Sequence, residues 1–164
     1  RKQEIIEQRL LEAERVQARH KLTESEKQLS RVIFEKGIDS KGFAKIRSKG
    51  DFALFGKTTK SLKKEFNISE NKPLADVLPT ITLKAKDFAN EITAFNTTHN
   101  NLNNEDKITK EHVKNNQDVR KVLTDRNIYP ENLPPEEDIK KVERRLNKEA
   151  KQLTTSKTKK ITKK

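Results

Sequence analysis

The sequence predicts an all-α protein: an open multi-helix assembly with a long N-terminal helix and a short, glycine-punctuated basic segment. Three observations lead there. Residues 1–36 hold neither Gly nor Pro and are rich in Glu, Gln, Lys, Arg, Leu and Ala, which lose little freedom in a helix. Strand-favouring runs are scarce, with no Trp and one Tyr in 164 residues. Further along, apolar residues recur at spacings of three and four. With 30 % hydrophobic and 38 % charged residues, only a modest core can form and much solvated surface is expected.

The first 36 residues would extend about 54 Å as a helix. Ile6, Leu10 and Ala13 share one stripe; Leu22, Leu29 and Ile33 share another. Between Val16 and Leu22 the only apolar residue is Ala18. The middle of this helix is therefore expected to cross open space or to meet a partner helix. The expected organisation is a linker helix at 1–36, a helical domain at 37–153 and a disordered Lys-rich tail at 154–164. The chain contains no Met and starts at Arg1, so it is expected to be the downstream part of a longer protein.

All four glycines fall between 37 and 56. Gly37 suits the C-terminal cap of the long helix. Gly42, Gly50 and Gly56 are expected to punctuate short elements, "KGFAKIRSKG" and "DFALFG". "GKTTKSLKKEFNIS" reads as a helix of about three turns, with Phe55, Leu62 and Phe66 on one side. Lys57, Lys60 and Lys64 lie on the other side, flanked by Lys63. Pro73 opens a short helix in "NKPLADVL". In "PTITLKAKDFANEITAFNTTHNN", Ile81, Ala85, Phe88, Ile92 and Phe95 make the strongest amphipathic signal in the chain.

After the polar loop "NTTHNNLNNED", residues 108–126 predict a helix with Thr109 able to cap it. Ile108, Val119, Val122 and Leu123 mark its inner side, together with His112 and Asn115. "NIYPENLPPEED" is a turn. Pro134 and Pro135 are expected to open the last helix, with Glu136, Glu137 and Asp138 in its first turn. Ile139, Val142, Leu146, Ala150 and Leu153 then form a narrow seam. Of these, Ile139, Val142, Leu146 and Leu153 are the candidate seam for a partner or a homo-oligomer.

The net charge of +12 is unevenly placed. Residues 67–153 carry fifteen cations and fifteen acids and are neutral. Residues 41–66 carry eight cations against Asp51 and Glu65, and the tail 154–164 carries five lysines and no acid. Charge gathered in this way favours a polyanion, through counterion release if the partner is nucleic acid. The candidate nucleic-acid-binding residues are Lys45, Arg47, Lys49, Lys57, Lys60, Lys63 and Lys64. A solvated face that aids solubility, or one that meets an acidic protein, is the alternative.

"GKTT" raises the possibility of a phosphate loop, which needs a glycine where this chain has Asp51. Gly50 comes one residue too early, and the intervening Phe-Ala-Leu-Phe is bulky and apolar. Without Cys there is no disulfide and no thiolate metal site. His20 reads as a surface side chain and His99 as a loop residue. Glu111 and His112 diverge by about 100° on a helix, so they do not share a metal. No serine sits in a Gly-x-Ser-x-Gly setting. The expectation is a non-enzyme without cofactor or metal. No apolar run reaches the roughly 20 residues needed to span a bilayer, and no signal-peptide pattern opens the sequence. A cytoplasmic location is expected.

"DFALFG", the basic "KTTKSLKKEF", and "ITKEHVKNNQDVRKVLTDRNIYPENLPPEEDIKKVERRL" together resemble the C-terminal half of the bacterial DNA-damage-inducible protein D family. The resemblance covers most of residues 1–153. Its specific part runs from Ile108 to Leu146, where "V-R-K…PE-LPP-ED" is distinctive. It implies a bacterial, nucleoid-associated protein of the DNA-damage response, linked to the regulation of recombination on DNA, with an antirepressor-like domain upstream. It implies no catalytic residue. Two functions are therefore expected in competition: a basic helical surface for single- or double-stranded DNA or for a DNA-bound recombination protein, and a helical assembly module with no DNA contact.

Overall fold

Helices run wherever the chain offers no stop signal, and the stops are mostly glycine and asparagine. The structure, a computed structural model, describes the backbone of residues 1–162 and the side chains of residues 1–156. Among these residues six helices follow one another: α1 (Lys2–Glu35), α2 (Ser40–Phe55), α3 (Thr59–Glu65), α4 (Thr80–His99), α5 (Glu105–Thr124) and α6 (Ile139–Thr162). Short 3₁₀ turns stand at Leu74–Val77 and Pro130–Asn132, and no strand occurs among the described residues. The all-α expectation holds.

Gly37 at φ 83° ends α1, its N–H donating to the Phe34 carbonyl (3.0 Å). Asn67, Asn101 and Asn127, at φ between 49° and 62°, follow α3, α4 and α5 in the same left-handed role. The N-termini are capped by Asp39, Thr58 and Asn104, each accepting from the N–H three residues on. Asn104 therefore caps α5, not Thr109, whose hydroxyl donates to the Glu105 carbonyl (2.7 Å) one turn inside the helix. Pro134 and Pro135 do not open α6. They lie in a non-helical segment held by the Glu136 N–H on the Val77 carbonyl (2.8 Å), and Asp138 accepts from the Lys140 N–H (2.9 Å) where α6 begins. α6 continues through Thr154–Thr162, where composition predicted disorder; no Gly or Pro interrupts it there. Lys163 and Lys164 lie outside the described residues.

α1 runs parallel to α4. Arg15 meets Leu78, Ser25 meets Asn90, and Lys36 meets Asn101. α2 runs parallel to α5, with Gly50 beside His112 and Leu54 beside Arg120. α4 and α5 return antiparallel through Thr93–His112 and Asn96–Glu111. α6 folds back along the first half of α1 through His20–Glu143, Arg145–Glu12 and Arg9–Glu149. His20 is thus an exposed bridge between two helices.

α1 corrects its expectation twice. It is not a separate linker: Arg15, Ala18, Leu22, Ser25, Leu29 and Ile33 are buried, so its middle belongs to the domain. The guanidinium of Arg15 makes this possible in the apolar-poor stretch. Its Nε donates to the Leu78 carbonyl (2.9 Å) and lies 3.0 Å from Glu136, while Nη2 donates to the Asp76 carbonyl (2.9 Å). Conversely, the stripe at Ile6 and Leu10 is exposed.

The core has two apolar halves. Leu22, Leu54, Phe55, Leu62, Leu78 and Leu83 anchor one; Leu29, Ile33, Ile46, Ala94 and Ile108 form the other. Between them comes a polar layer from three helices, Ser25 on α1, Asn90 and Thr93 on α4, and His112, Asn115 and Asn116 on α5, with Gly50 of α2 against the His112 ring. The Thr93 hydroxyl donates to the Ala89 carbonyl (3.0 Å), which leaves its lone pairs for Asn115 Nδ2 (2.9 Å) and for His112 Nδ1 (2.8 Å). His112 therefore carries its proton on Nδ1, and Nε2 faces Asn116 Nδ2 (3.4 Å). Burial lowers its pKa to about 4; Lys86 and Arg47 push the same way, Asp51 and Glu111 the other.

Gly42 and Gly50 do not break α2 into short elements; they lie inside one helix. A Cβ on Gly50 would collide with the His112 imidazole. α2 approaches α5 closely because that side chain is missing.

Two outcomes follow. Gly50→Ala should destabilise by about 1–3 kcal/mol in a denaturant titration, although alanine is the better helix former, because overpacking outweighs propensity. The folded imidazole stays neutral down to about pH 4, whereas the unfolded chain takes up a proton near pH 6.5. His112 thus contributes stability that is complete above pH 6.5 and is lost as pH falls towards 4, about 3 kcal/mol in all. His112→Gln should flatten the stability profile between pH 7 and 4.5 by that order.

Candidate nucleic-acid interface

Once α2 is one helix, its outer face can be read residue by residue. At 100° per residue Lys41, Lys45 and Phe52 fall within about 40° of one another, with Lys49 some 40° further round. All four are exposed, and Phe52 keeps 53 % of its surface open. The one acid on α2, Asp51, points elsewhere. Its carboxylate pairs with the buried Lys86 ammonium (3.0 Å) and accepts from the Thr59 hydroxyl (3.5 Å). The exposed face of α2 therefore carries cations and one aromatic ring without a carboxylate.

The basic run continues round a corner. Gly56, at φ 66°, ends α2 with its N–H on the Phe52 carbonyl (2.8 Å), and Thr58 then caps α3. "GKTT" is thus a helix stop followed by a helix start, and the amides preceding it are spent inside α2. α3 is seven residues long, shorter than expected, because Thr58 caps its start and Asn67, at φ 55°, stops it beyond Phe66. Phe55, Leu62 and Phe66 still meet in one apolar cluster, from two helices rather than one. Lys60 and Lys64 face outward.

The seven expected cations are not equivalent. The ammonium groups of Lys45, Lys49, Lys60 and Lys64 are exposed and have no partner among the described residues. Lys57 is held by both oxygens of Glu65 (2.9 and 3.0 Å), and Lys63 donates to the Glu70 carbonyl (3.0 Å). Arg47 lies over the Phe43 ring at 5.6 Å and 3.4 Å from Glu26, in a groove of about 740 Å³ between α1 and α2. That groove mixes Lys27 and Arg31 with Glu26 and Glu35, so it does not extend the cationic face. Sequence reasoning missed Lys41 and Phe52 as members of the face. The spacing 41, 45, 48, 52 would have found them had α2 been read as continuous.

Arg120 on α5 fixes the corner. Its Nη1 donates to the Leu54 carbonyl (2.8 Å), its two terminal nitrogens hold Glu131 (2.7 and 2.8 Å), and its guanidinium covers Gly56. Hydrogen bonding to Glu131 raises the Arg120 pKa and lowers that of Glu131, so both stay charged.

The seam expected on α6 divides in two. Ile139 and Val142 are buried in the chain's own core, Leu146 is half-buried, and Leu153 is 66 % exposed. Only its distal part can meet another molecule. On α5, Ile108 is buried, but Val122 turns to solvent. Among the described residues no group of three His, Asp or Glu is placed to hold a metal ion, and no helix is long and apolar enough to cross a membrane. Arg120→Ala should speed hydrogen exchange at the amides of residues 54–62 by more than the loss of global stability explains.

A family model described as the DinD C-terminal domain matches residues 11–142. No curated protein matches the chain.

Proposed function

The chain belongs to the DinD family, as its C-terminal domain, and is DNA-damage-related on that ground; from this premise we propose that it binds DNA through the outer face of α2 and α3. It acts as a binding module rather than an enzyme, and nucleoid association follows from the same reading. The observation that carries it is the contrast between two exposed helices. On α5, Lys110, Lys114 and Lys121 are each neutralised by an acid four residues away. On α2 and α3, Lys41, Lys45, Lys49, Lys60 and Lys64 have no such partner. Ammonium groups left without carboxylates keep their attraction for phosphate. They position a nucleic acid without reading its bases, and Phe52 beside them adds a ring on which an unpaired base can stack.

The test is an anisotropy titration of the chain with single- and double-stranded DNA across a salt series. For duplex, the log–log slope should be about −4 to −5 if the five lysines each release a counterion. Lys45/Lys49/Lys60/Lys64→Glu should abolish binding. Lys110/Lys114/Lys121→Glu should weaken it only slightly, since those cations are already paired. Equal loss in both variants would mean that net charge, not this face, is responsible.

One observation favours a second reading, in which a recombination protein or another helical partner docks on the chain. Leu153 on α6 and Ile5, Ile6 and Leu10 on α1 leave apolar side chains open where the two helices run side by side. DNA binding that survives Leu153→Asp while partner capture fails would place this contact apart from the basic face.

A further inference from the structure

The strongest amphipathic signal in the chain faces the wrong way for a core. On α4 the buried side is largely polar: Thr82, Lys86, Asn90, Thr93 and Thr97 accompany Leu83, Ala89 and Ala94. The outer side carries Ile81, Ala85, Phe88, Ile92 and Phe95. Ile81, Phe88 and Phe95 are 43 %, 58 % and 65 % exposed, and Ala85 and Ile92 are half-covered. Single exposed apolar residues need no explanation, but three exposed and two half-covered in one line do. With His99, which stacks on Phe95 at 5.3 Å, they alternate steps of four and three. That is the 3.5-residue period of a helix seam.

We propose that this face is a self-association surface on which two copies of the chain pair α4 against α4 in antiparallel register. Four members of the stripe, Ile81, Ala85, Phe88 and Ile92, are complementary to their own reverse, while Phe95 and His99 reach past the start of the second copy's α4. With the twofold axis between residues 86 and 87, Ile81 lies opposite Ile92 of the second copy. The small Ala85 lies opposite the bulky Phe88, which leaves room for the ring. The same register brings Lys84 to Glu91 of the second copy, twice, along one edge. Among the described residues Glu91 has no side-chain partner, and Lys84 is held only by the exposed Glu14 at 2.8 Å. Among antiparallel registers charge selects this one: moving the axis to residue 90 would also set Ala85 against a ring, Phe95, but would bring Glu91 against Glu91 of the second copy. A parallel pairing would set Phe88 against Phe88 and would place Lys84 and Glu91 of the two copies on opposite edges.

The surface is separate from the basic face on α2 and α3 and from Leu153 on α6, so the proposal stands or falls independently of DNA binding. The experiment is sedimentation equilibrium of the 164-residue chain without DNA. A dimer is expected, and Phe88→Glu should raise its dissociation constant at least about 100-fold, since each dimer contains the substitution twice. Because Phe88 is mostly exposed, the thermal melt of the monomer should be unchanged. Leu153→Asp should leave the dimer intact. Lys84→Glu and Glu91→Lys should each weaken the dimer, and the double charge swap should restore it. A chain that stays monomeric at millimolar concentration overturns the proposal. So does a dimer that ignores Phe88→Glu, or one that Leu153→Asp dissolves.

Discussion

The close approach of α2 to α5 at Gly50 governs the rest of the molecule. A chain with 30 % hydrophobic residues cannot close four helices around a continuous apolar core. It closes two smaller ones instead, joined by a polar layer whose members satisfy one another. The layer works only if the His112 ring can lie against bare backbone, which is why no side chain fits at position 50. A buried imidazole hydrogen-bonded to a threonine also specifies register. Sliding α5 by one turn past α4 would separate His112 from Thr93 and leave both unpaired in a dry interior.

The fold class could be read from the sequence because propensity and the placement of Gly and Pro are local properties. Much of the element order was legible for the same reason, as at Gly37 and Pro73. Errors arose where packing overrides the local signal. Gly50 looks like a breaker until His112, on another helix, occupies its missing side chain. The middle of α1 looks empty until Arg15 finds the Leu78 and Asp76 carbonyls some sixty residues away. α4 shows a clean apolar stripe, but its polar side packs inward because Asn90, Thr93 and Lys86 have partners on α1, α5 and α2. Periodicity finds stripes; it does not say which stripe is covered.

The basic segment was legible in outline because charge runs are visible in one dimension. Which lysines remain unpaired was not, since Lys57–Glu65 and Arg47–Glu26 depend on a turn and on a helix contact. Exposed ion pairs of this kind are worth little in stability, typically under about 1 kcal/mol. Their effect is electrostatic bookkeeping of the surface: α5 presents near-neutral pairs, and α2 presents uncancelled positive charge.

Parallel pairing of α1 with α4, and of α2 with α5, has a kinetic consequence. Arg15–Leu78, Ser25–Asn90, Lys36–Asn101 and Leu54–Arg120 are each separated by 63 to 66 residues along the chain. Helical proteins usually collapse quickly because most of their contacts are near neighbours in sequence. Here more than sixty residues must follow the first member before such a pair can close, so α1 and α2 would wait, helical but unclasped, for their complements.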